Sequence, residues 1–263
     1  MTTPQTWHYG LVADWWAEFN HDGPEIEFFG RYVEQGQPAL DAGCGAGRLL
    51  VPWLRAGYDV DGCDVSPDMI DRCRERAARA GSQPTLFARP LHELDPPRRY
   101  RTIVVCGVFG LGSTRAQDQT ALERLHDALE PGGLLLLDNE VPYADAGLWR
   151  RWPKAERQAL PAPWPERGSA KVTAAGDEIE LRTRVRELDP LDQRVTLEMR
   201  AERHRDGEVV CAEEHTITLR AYFRDELLLM LERAGFGEIE VLGEYDGAAP
   251  TADTEFLVFV ARR

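Results

Sequence analysis

Lysine is almost missing. Lys154 and Lys171 are the only two in 263 residues, so nearly all positive charge is arginine. A guanidinium stays protonated and pairs with carboxylates through a planar fork, which argues against Schiff-base chemistry as the task of this chain. Positive charge is short altogether: 31 Lys plus Arg stand against 45 Asp plus Glu, a net charge of −14. That balance argues against duplex nucleic acid and anionic membranes as main partners and favours a small or cationic one. The five cysteines, Cys44, Cys63, Cys73, Cys106 and Cys211, contain no CxxC pair. They read as small apolar fillers in a reducing compartment, so a cytoplasmic protein is expected. No apolar run approaches the roughly 18 residues of a membrane helix. Met1–Gly10 lacks the basic and apolar segments of an export signal. Neither metal nor disulfide is needed for a chain of this length to bury a core. Repeats, low-complexity tracts and long charge blocks are also missing, and order is expected everywhere except the first few residues.

What is present is alternation. From Pro38 to Leu137 apolar runs exchange with amphipathic stretches, the pattern of parallel strands fed through crossover helices. Strands are expected near Ala39–Ala42, Tyr58–Cys63, Pro84–Ala88, Thr102–Gly107 and Leu134–Leu137. Ser66, Pro67 and Asp68 supply an N-cap hydroxyl and a first-turn proline for a helix that ends at Gly81. A second helix carries Leu122, Leu125 and Leu129 and is expected to stop at Pro131–Gly133, where the fifth strand begins. Trp149–Pro165, rich in Trp, Pro and Arg, suits an irregular, lid-like loop. Beyond it Ile179, Leu181, Thr183 and Val185 alternate with charged residues, Val195, Leu197 and Met199 repeat the period, and Asp206–Gly207 turns into a third strand ending near Leu219. A helix over Asp225–Ala234 and a strand over Phe256–Val260 return to the first pattern. The expectation is a Rossmann-like α/β domain, residues 1–149 and 221–263, carrying an inserted antiparallel subdomain, residues 150–220, that caps a pocket or joins a second subunit.

The chemistry centres on Asp41, Gly43, Gly45 and Gly47, where a strand end turns through alternate glycines into a helix. Glycines permit close backbone approach to a ligand. The dinucleotide pattern GxGxxG would need a small residue at Arg48, and Asp41 would repel a phosphate, so a cationic ligand is easier to place. Asp64, ending the second strand, has the position of a carboxylate that accepts two hydrogen bonds from a ribose diol.

Leu40–Gly47, Asp64 with Ser66–Ile70, and Leu129–Gly133 resemble the motifs of class I S-adenosylmethionine-dependent methyltransferases. The resemblance implies that the glycine loop cradles the methionine part, Asp64 holds the ribose, and Val65 and Met69 flank the adenine. Tyr9, within a segment similar to the family's lid, would close over the amino-acid end, or would simply pack the first helix. Relatives usually carry an acid after the third strand to meet the adenine amine; here stand Arg89 and Pro90, and Arg89 cannot accept a hydrogen bond. The adenine is then left to backbone, to another acceptor, or to Cys106 and Gly107; Pro90 is kept as a cofactor contact. The insertion and the segments Tyr222–Phe236 and Val241–Tyr245 resemble sugar-amine and glycine N-methyltransferases. Some relatives have a histidine where this chain has Ser113.

Methyl transfer from a sulfonium is a one-step displacement that asks chiefly for positioning, so neither a metal nor a covalent nucleophile is expected. The acceptor, a small polar metabolite, should meet Glu140 and Tyr143 after the fifth strand and Tyr222 where the insertion rejoins. Glu140 orients or deprotonates the acceptor in this reading; the competing one pairs it with Arg150 or Arg151. His215 is expected in the core, His126 in solvent, and Trp149, Trp152 and Trp164 form either an aromatic wall or plain cover. A nicotinamide oxidoreductase and a cofactor-binding scaffold are the alternatives, and a homodimer is one option for covering the inserted sheet.

Overall fold

Apolar runs too short for buried helices become strands that share one sheet, and the computed structural model describes this for residues 6–263; the first five residues, and the expectation about their order, lie outside the described chain. In chain order the elements are α1 (Gly10–Phe19), α2 (Glu25–Gln35), β1 (Ala39–Ala42), α3 (Leu50–Arg55), β2 (Val60–Asp64), α4 (Pro67–Arg79), β3 (Leu86–Ala88), β4 (Tyr100–Val105), α5 (Arg115–Ala128) and β5 (Leu129–Glu140). There follow α6 (Ala146–Trp149), α7 (Lys154–Arg157), β6 (Ser169–Val172), β7 (Glu178–Asp189), β8 (Arg194–Arg205), β9 (Glu208–Arg220), α8 (Arg224–Arg233), β10 (Ile239–Gly243) and β11 (Phe256–Arg262).

The main sheet has the order β10-β11-β5-β4-β1-β2-β3, parallel from β5 to β3 and antiparallel at β10 and β11. Both faces are covered, as parallel strands require. One side packs Leu122 and Leu125 of α5 and Leu227 and Leu231 of α8; the other packs Phe29 and Val33 of α2, Trp53 of α3 and Ile70 of α4. The carboxyl ends of β1, β2, β4 and β5 therefore open on one edge, the usual place for a ligand in such a sheet.

Local chemistry sets the boundaries. Ser66 caps α4 by accepting the Met69 N–H at 3.2 Å, and Gly81 takes a φ of +78° just past its end. Thr114 and Gln117 form a capping box that starts α5. That helix ends at Ala128, earlier than the proline and glycines suggest, because Leu129 already pairs with Tyr100 in the sheet. Leu129 is a buried strand residue rather than the last helical one.

The second sheet, β6-β7-β8-β9, is antiparallel and has one strand more than expected: β6 is short and exposed and carries no apolar alternation to announce it. The Trp-rich stretch is not wholly irregular, since α6 and α7 lie in it. The apolar face of this sheet is covered within the chain. Leu11 and Val12 of α1 pack on Ile179, Leu181, Met199 and Ala201, and the loop after β4 is laced to β9 by Gly112 N to Thr218 O (2.7 Å) and Arg220 N to Gly110 O (3.0 Å). Among the described residues no helix is long and apolar enough to cross a membrane. Cys44, Cys63 and Cys73 are buried thiols, Cys106 is half-buried and Cys211 is exposed.

Candidate active site

The turn after β1 is held open by backbone geometry. Gly43, Gly45 and Gly47 have φ of +96°, +52° and +82°, a region that side chains oppose. A Cβ on Gly43 would stand 2.4 Å from Val108, so the turn and the loop after β4 approach as closely as glycine allows. Asp64 ties this turn to β2: its two oxygens accept the Gly45 N–H (3.0 Å) and the Ser66 N–H (2.8 Å). Burial raises its pKa, against the pull of those backbone donors. Asp41 is buried two residues before Gly43, and one of its oxygens has no hydrogen-bond partner among the described residues. Its pKa is pushed up to about 8, first by burial and then by Asp64.

Three cavities meet at Val108. The first, about 290 Å³, follows the glycine turn and is walled by Gly45, Arg48, Met69, Cys106 and Gly107. The second runs from Asp64 and Val65 past Pro90 to Ser113 and Asp118. The third, about 360 Å³, lies between Glu140 and the aliphatic face of the inserted sheet, Val185, Leu197 and Leu219, with Arg220 beside it. Gly43, Asp64 and His8 belong to both of the first two, and Gly107 to the first and third.

The structure distributes the expected residues among these cavities and the core. Met69 lies on the glycine-turn cavity, away from Val65 and Pro90, because α4 leads it back over Ala46. Cys106 and Gly107 are also on that side: Arg48 reaches the Cys106 sulfur (3.7 Å), and the Gly107 N–H donates to Asp138 (2.6 Å). Tyr9 lines none of these three cavities, and its ring packs 4.3 Å from that of His215; its neighbour His8 lines the first two. Tyr143 is 44% exposed and faces Trp149 outside the third cavity. Tyr222 is enclosed in the main core, where its hydroxyl donates to Asp118 (2.5 Å). The ring is held there by the re-entry of the chain, whose Tyr222 carbonyl accepts from Asn139 (3.0 Å).

Glu140 is on the third cavity and makes no ion pair among the described residues; Arg150 turns instead to the Ala146 carbonyl. Partial burial, then Asp145 and Glu255, raise its pKa. His215 is buried and shares its Nε2 with Glu213 (3.0 Å). Trp149 and Trp152 pack against each other and against Phe223, whereas Trp164 receives Arg184 and Arg200 on its ring. The one group of metal-ligand type among the described residues, Glu180, Glu202 and His204, is bridged by Arg182, at 3.5 Å from Glu180 and 2.6 Å from Glu202.

Residues that sequence reasoning passed over are His8, Val108, Asp118 and Asp138. Asp138 accepts from both Gly107 and Tyr245 (2.7 Å), and so fixes the wall between the first and third cavities. An acid in a run of leucines at the end of β5 was the signal for it; for His8 and Val108 no pattern was available.

The fit to an adenosyl sulfonium rests on these features. An unpartnered buried carboxylate oxygen lies beneath a turn where a Cβ on Gly43 or Gly47 would clash, and acidic groups outnumber cations along the first cavity. Comparison with known proteins agrees. Residues 39–133 match the family described as a methyltransferase domain. A protein described as a methyltransferase in Geobacillus sp. (strain WCH70) is 23% identical across 97% of this chain and 99% of its own. Among solved structures, the CcbJ methyltransferase of Streptomyces caelestis is 21% identical with 98% of each chain covered and a TM-score of 0.73. A sugar N-methyltransferase from a Streptoalloteichus species is 19% identical, covering 93% of this chain and 90% of its own, with a TM-score of 0.66. The two structures establish the likeness of fold.

Proposed function

We propose, on the premise that this chain belongs to the class I S-adenosylmethionine-dependent methyltransferases, that it methylates nitrogen or oxygen of a small polar metabolite held beside Glu140. The observation that carries this reading is the joining of the glycine-turn cavity to the third cavity through Gly107 and Val108. A donor on one side and an acceptor on the other would meet there.

The donor, when bound, supplies a methyl group activated by its sulfonium. The protein's own share is placement. The Gly43–Gly47 turn and Arg48 would take the amino-acid end, Asp64 the ribose hydroxyls, and Val65 and Pro90 the faces of the adenine. Asp41, whose buried carboxyl is held protonated up to about pH 8, would ionise beside a cationic ligand and so favours one over a phosphate. On the acceptor side, Val185, Leu197 and Leu219 exclude water and hold the carbon skeleton, while Glu140 holds the proton-bearing group. Its raised pKa suits it to take a proton from that group as the bond forms. Residues 1–149 and 221–263 then serve the donor, and 150–220 close over the acceptor. The likeness of fold to a sugar N-methyltransferase supports an acceptor of this size.

The test is turnover on a panel of amino and hydroxy metabolites, read as S-adenosylhomocysteine and methylated product. Methylation of at least one panel member, at a rate lowered by Glu140→Gln, is the expected result. Binding of S-adenosylhomocysteine with no product from any small acceptor would overturn the substrate class.

A further inference from the structure

The second cavity raises a question of chemistry. An adenine presents an exocyclic amine, which needs an acceptor, yet the wall after β3 offers no side-chain acceptor. The Arg89 side chain carries only donors, and Pro90 has no polar side-chain atom. Side-chain acceptors stand elsewhere on the lining, at His92, Ser113, Gln117 and Asp118.

Two of these four, His92 and Gln117, have their acceptors engaged. The Gln117 Oε1 accepts both the N–H (2.9 Å) and the hydroxyl (3.0 Å) of Thr114. Gln117 Nε2 donates to His92 Nε2 (3.2 Å), which leaves the other nitrogen of a neutral His92 ring as a donor. The Ser113 hydroxyl proton goes to Asp118, so its oxygen keeps acceptor lone pairs but carries no charge. Asp118 is different. It is 3% exposed and receives one hydroxyl on each oxygen, Ser113 on Oδ1 and Tyr222 on Oδ2, so an acceptor site remains on both. Those two hydroxyls also fix the rotamer of the carboxylate, as a site for recognition requires.

We infer that the Asp118 carboxylate, carried on the first turn of α5 and oriented by Ser113 and Tyr222, reads the exocyclic amine of the donor's adenine in place of the missing acid after β3. The inference rests on the methyl-donor reading of the site, and it is independent of which acceptor is methylated. It also gives the buried Tyr222 hydroxyl a positioning role, acting through Asp118 without touching substrate.

Calorimetric binding of S-adenosylhomocysteine and of its 6-deamino purine analogue to the full chain tests it without measuring catalysis. The wild type is expected to bind the adenine compound at least tenfold more tightly. Asp118→Ala is expected to bind the two alike. Asp118→Asn, which keeps an acceptor oxygen, should recover part of the difference. Equal affinity of the wild type for the two ligands overturns the inference alone, even if the variants fail to fold. A folded Asp118→Ala that keeps the full difference overturns it as well. If the wild type binds neither ligand, the donor reading falls and this inference falls with it.

Discussion

The Asp64 carboxylate spans two structural elements, accepting the Gly45 N–H at 3.0 Å through one oxygen while the other takes the Ser66 N–H at 2.8 Å. The glycine turn, the tip of β2 and the start of α4 therefore move as one unit. Asp64→Ala removes two charge-assisted hydrogen bonds from a buried site and any bond to a ribose. Each such bond is worth about 1.5–3 kcal/mol, so S-adenosylhomocysteine affinity should fall at least tenfold. Calorimetry that finds full affinity in this variant would remove Asp64 from the site.

Gly43 and Gly81 separate two costs of adding a methyl group. Both have positive φ, but a Cβ at Gly43 meets Val108 at 2.4 Å, while at Gly81 nothing lies within 4 Å. Gly81→Ala should lose only the backbone cost, about 1–2 kcal/mol. Gly43→Ala adds overpacking, about 1–3 kcal/mol more, and should also impair ligand binding. Equal falls in Tm for the two variants would contradict the close approach of the loops.

Stability should pass through a maximum in mildly acidic solution for the ligand-free protein. Burial, then Asp64, lifts the Asp41 carboxyl to about 8, above its ordinary 3.8. Folding thus favours its protonated form, and this contribution, complete below about pH 4, is lost as pH rises through 8. His8 works in the opposite direction. Burial, then His215, holds it at about 4, below its ordinary 6.5, so its contribution is complete above pH 6.5 and is lost as pH falls through 4. Chemical denaturation from pH 4 to 9 should show Asp41→Asn flattening the alkaline limb and His8→Asn the acid limb. Variant curves parallel to the wild type would refute the assignment.

Glu140→Gln should lower kcat about a hundredfold, the ordinary contribution of a positioned base. The wild-type rate should rise with pH through a value above 4.5, since burial, Asp145 and Glu255 all raise the Glu140 pKa. The variant should lack that limb. A profile of unchanged shape and height would leave Glu140 without a role in the reaction.

Tyr222→Phe is expected to act on the fold. It removes the hydroxyl that donates to buried Asp118, at a cost of about 1–3 kcal/mol, read as a lower Tm. A hundredfold fall in kcat with the Tm preserved would return this hydroxyl to the chemistry.

Much of the scaffold was legible because its signals are local. Strand β1 could be read from four apolar-rich residues before a glycine turn, α4 from Ser66 and Pro67, and β7 to β9 from alternation along each strand. Glycines at Gly43, Gly45 and Gly47 announced the bend, since few other residues tolerate those angles. Local signals failed where a partner strand decided the outcome. Leu129 continues the helical spacing of Leu122 and Leu125, yet pairing with Tyr100 makes it strand.

The chain alone thus determined that a glycine bend would follow β1, that an acid would end β2, and that an antiparallel sheet would interrupt the domain, because period, capping and backbone freedom belong to neighbouring residues. Only the tertiary structure decided that Tyr222 turns into the core, that Tyr9 leaves the walls to His8, and that Asp118 shares one cavity with Arg89 and Pro90. Those outcomes depend on residues far apart in sequence competing for the same buried volume and the same hydrogen bonds, and no spacing along the chain encodes that competition.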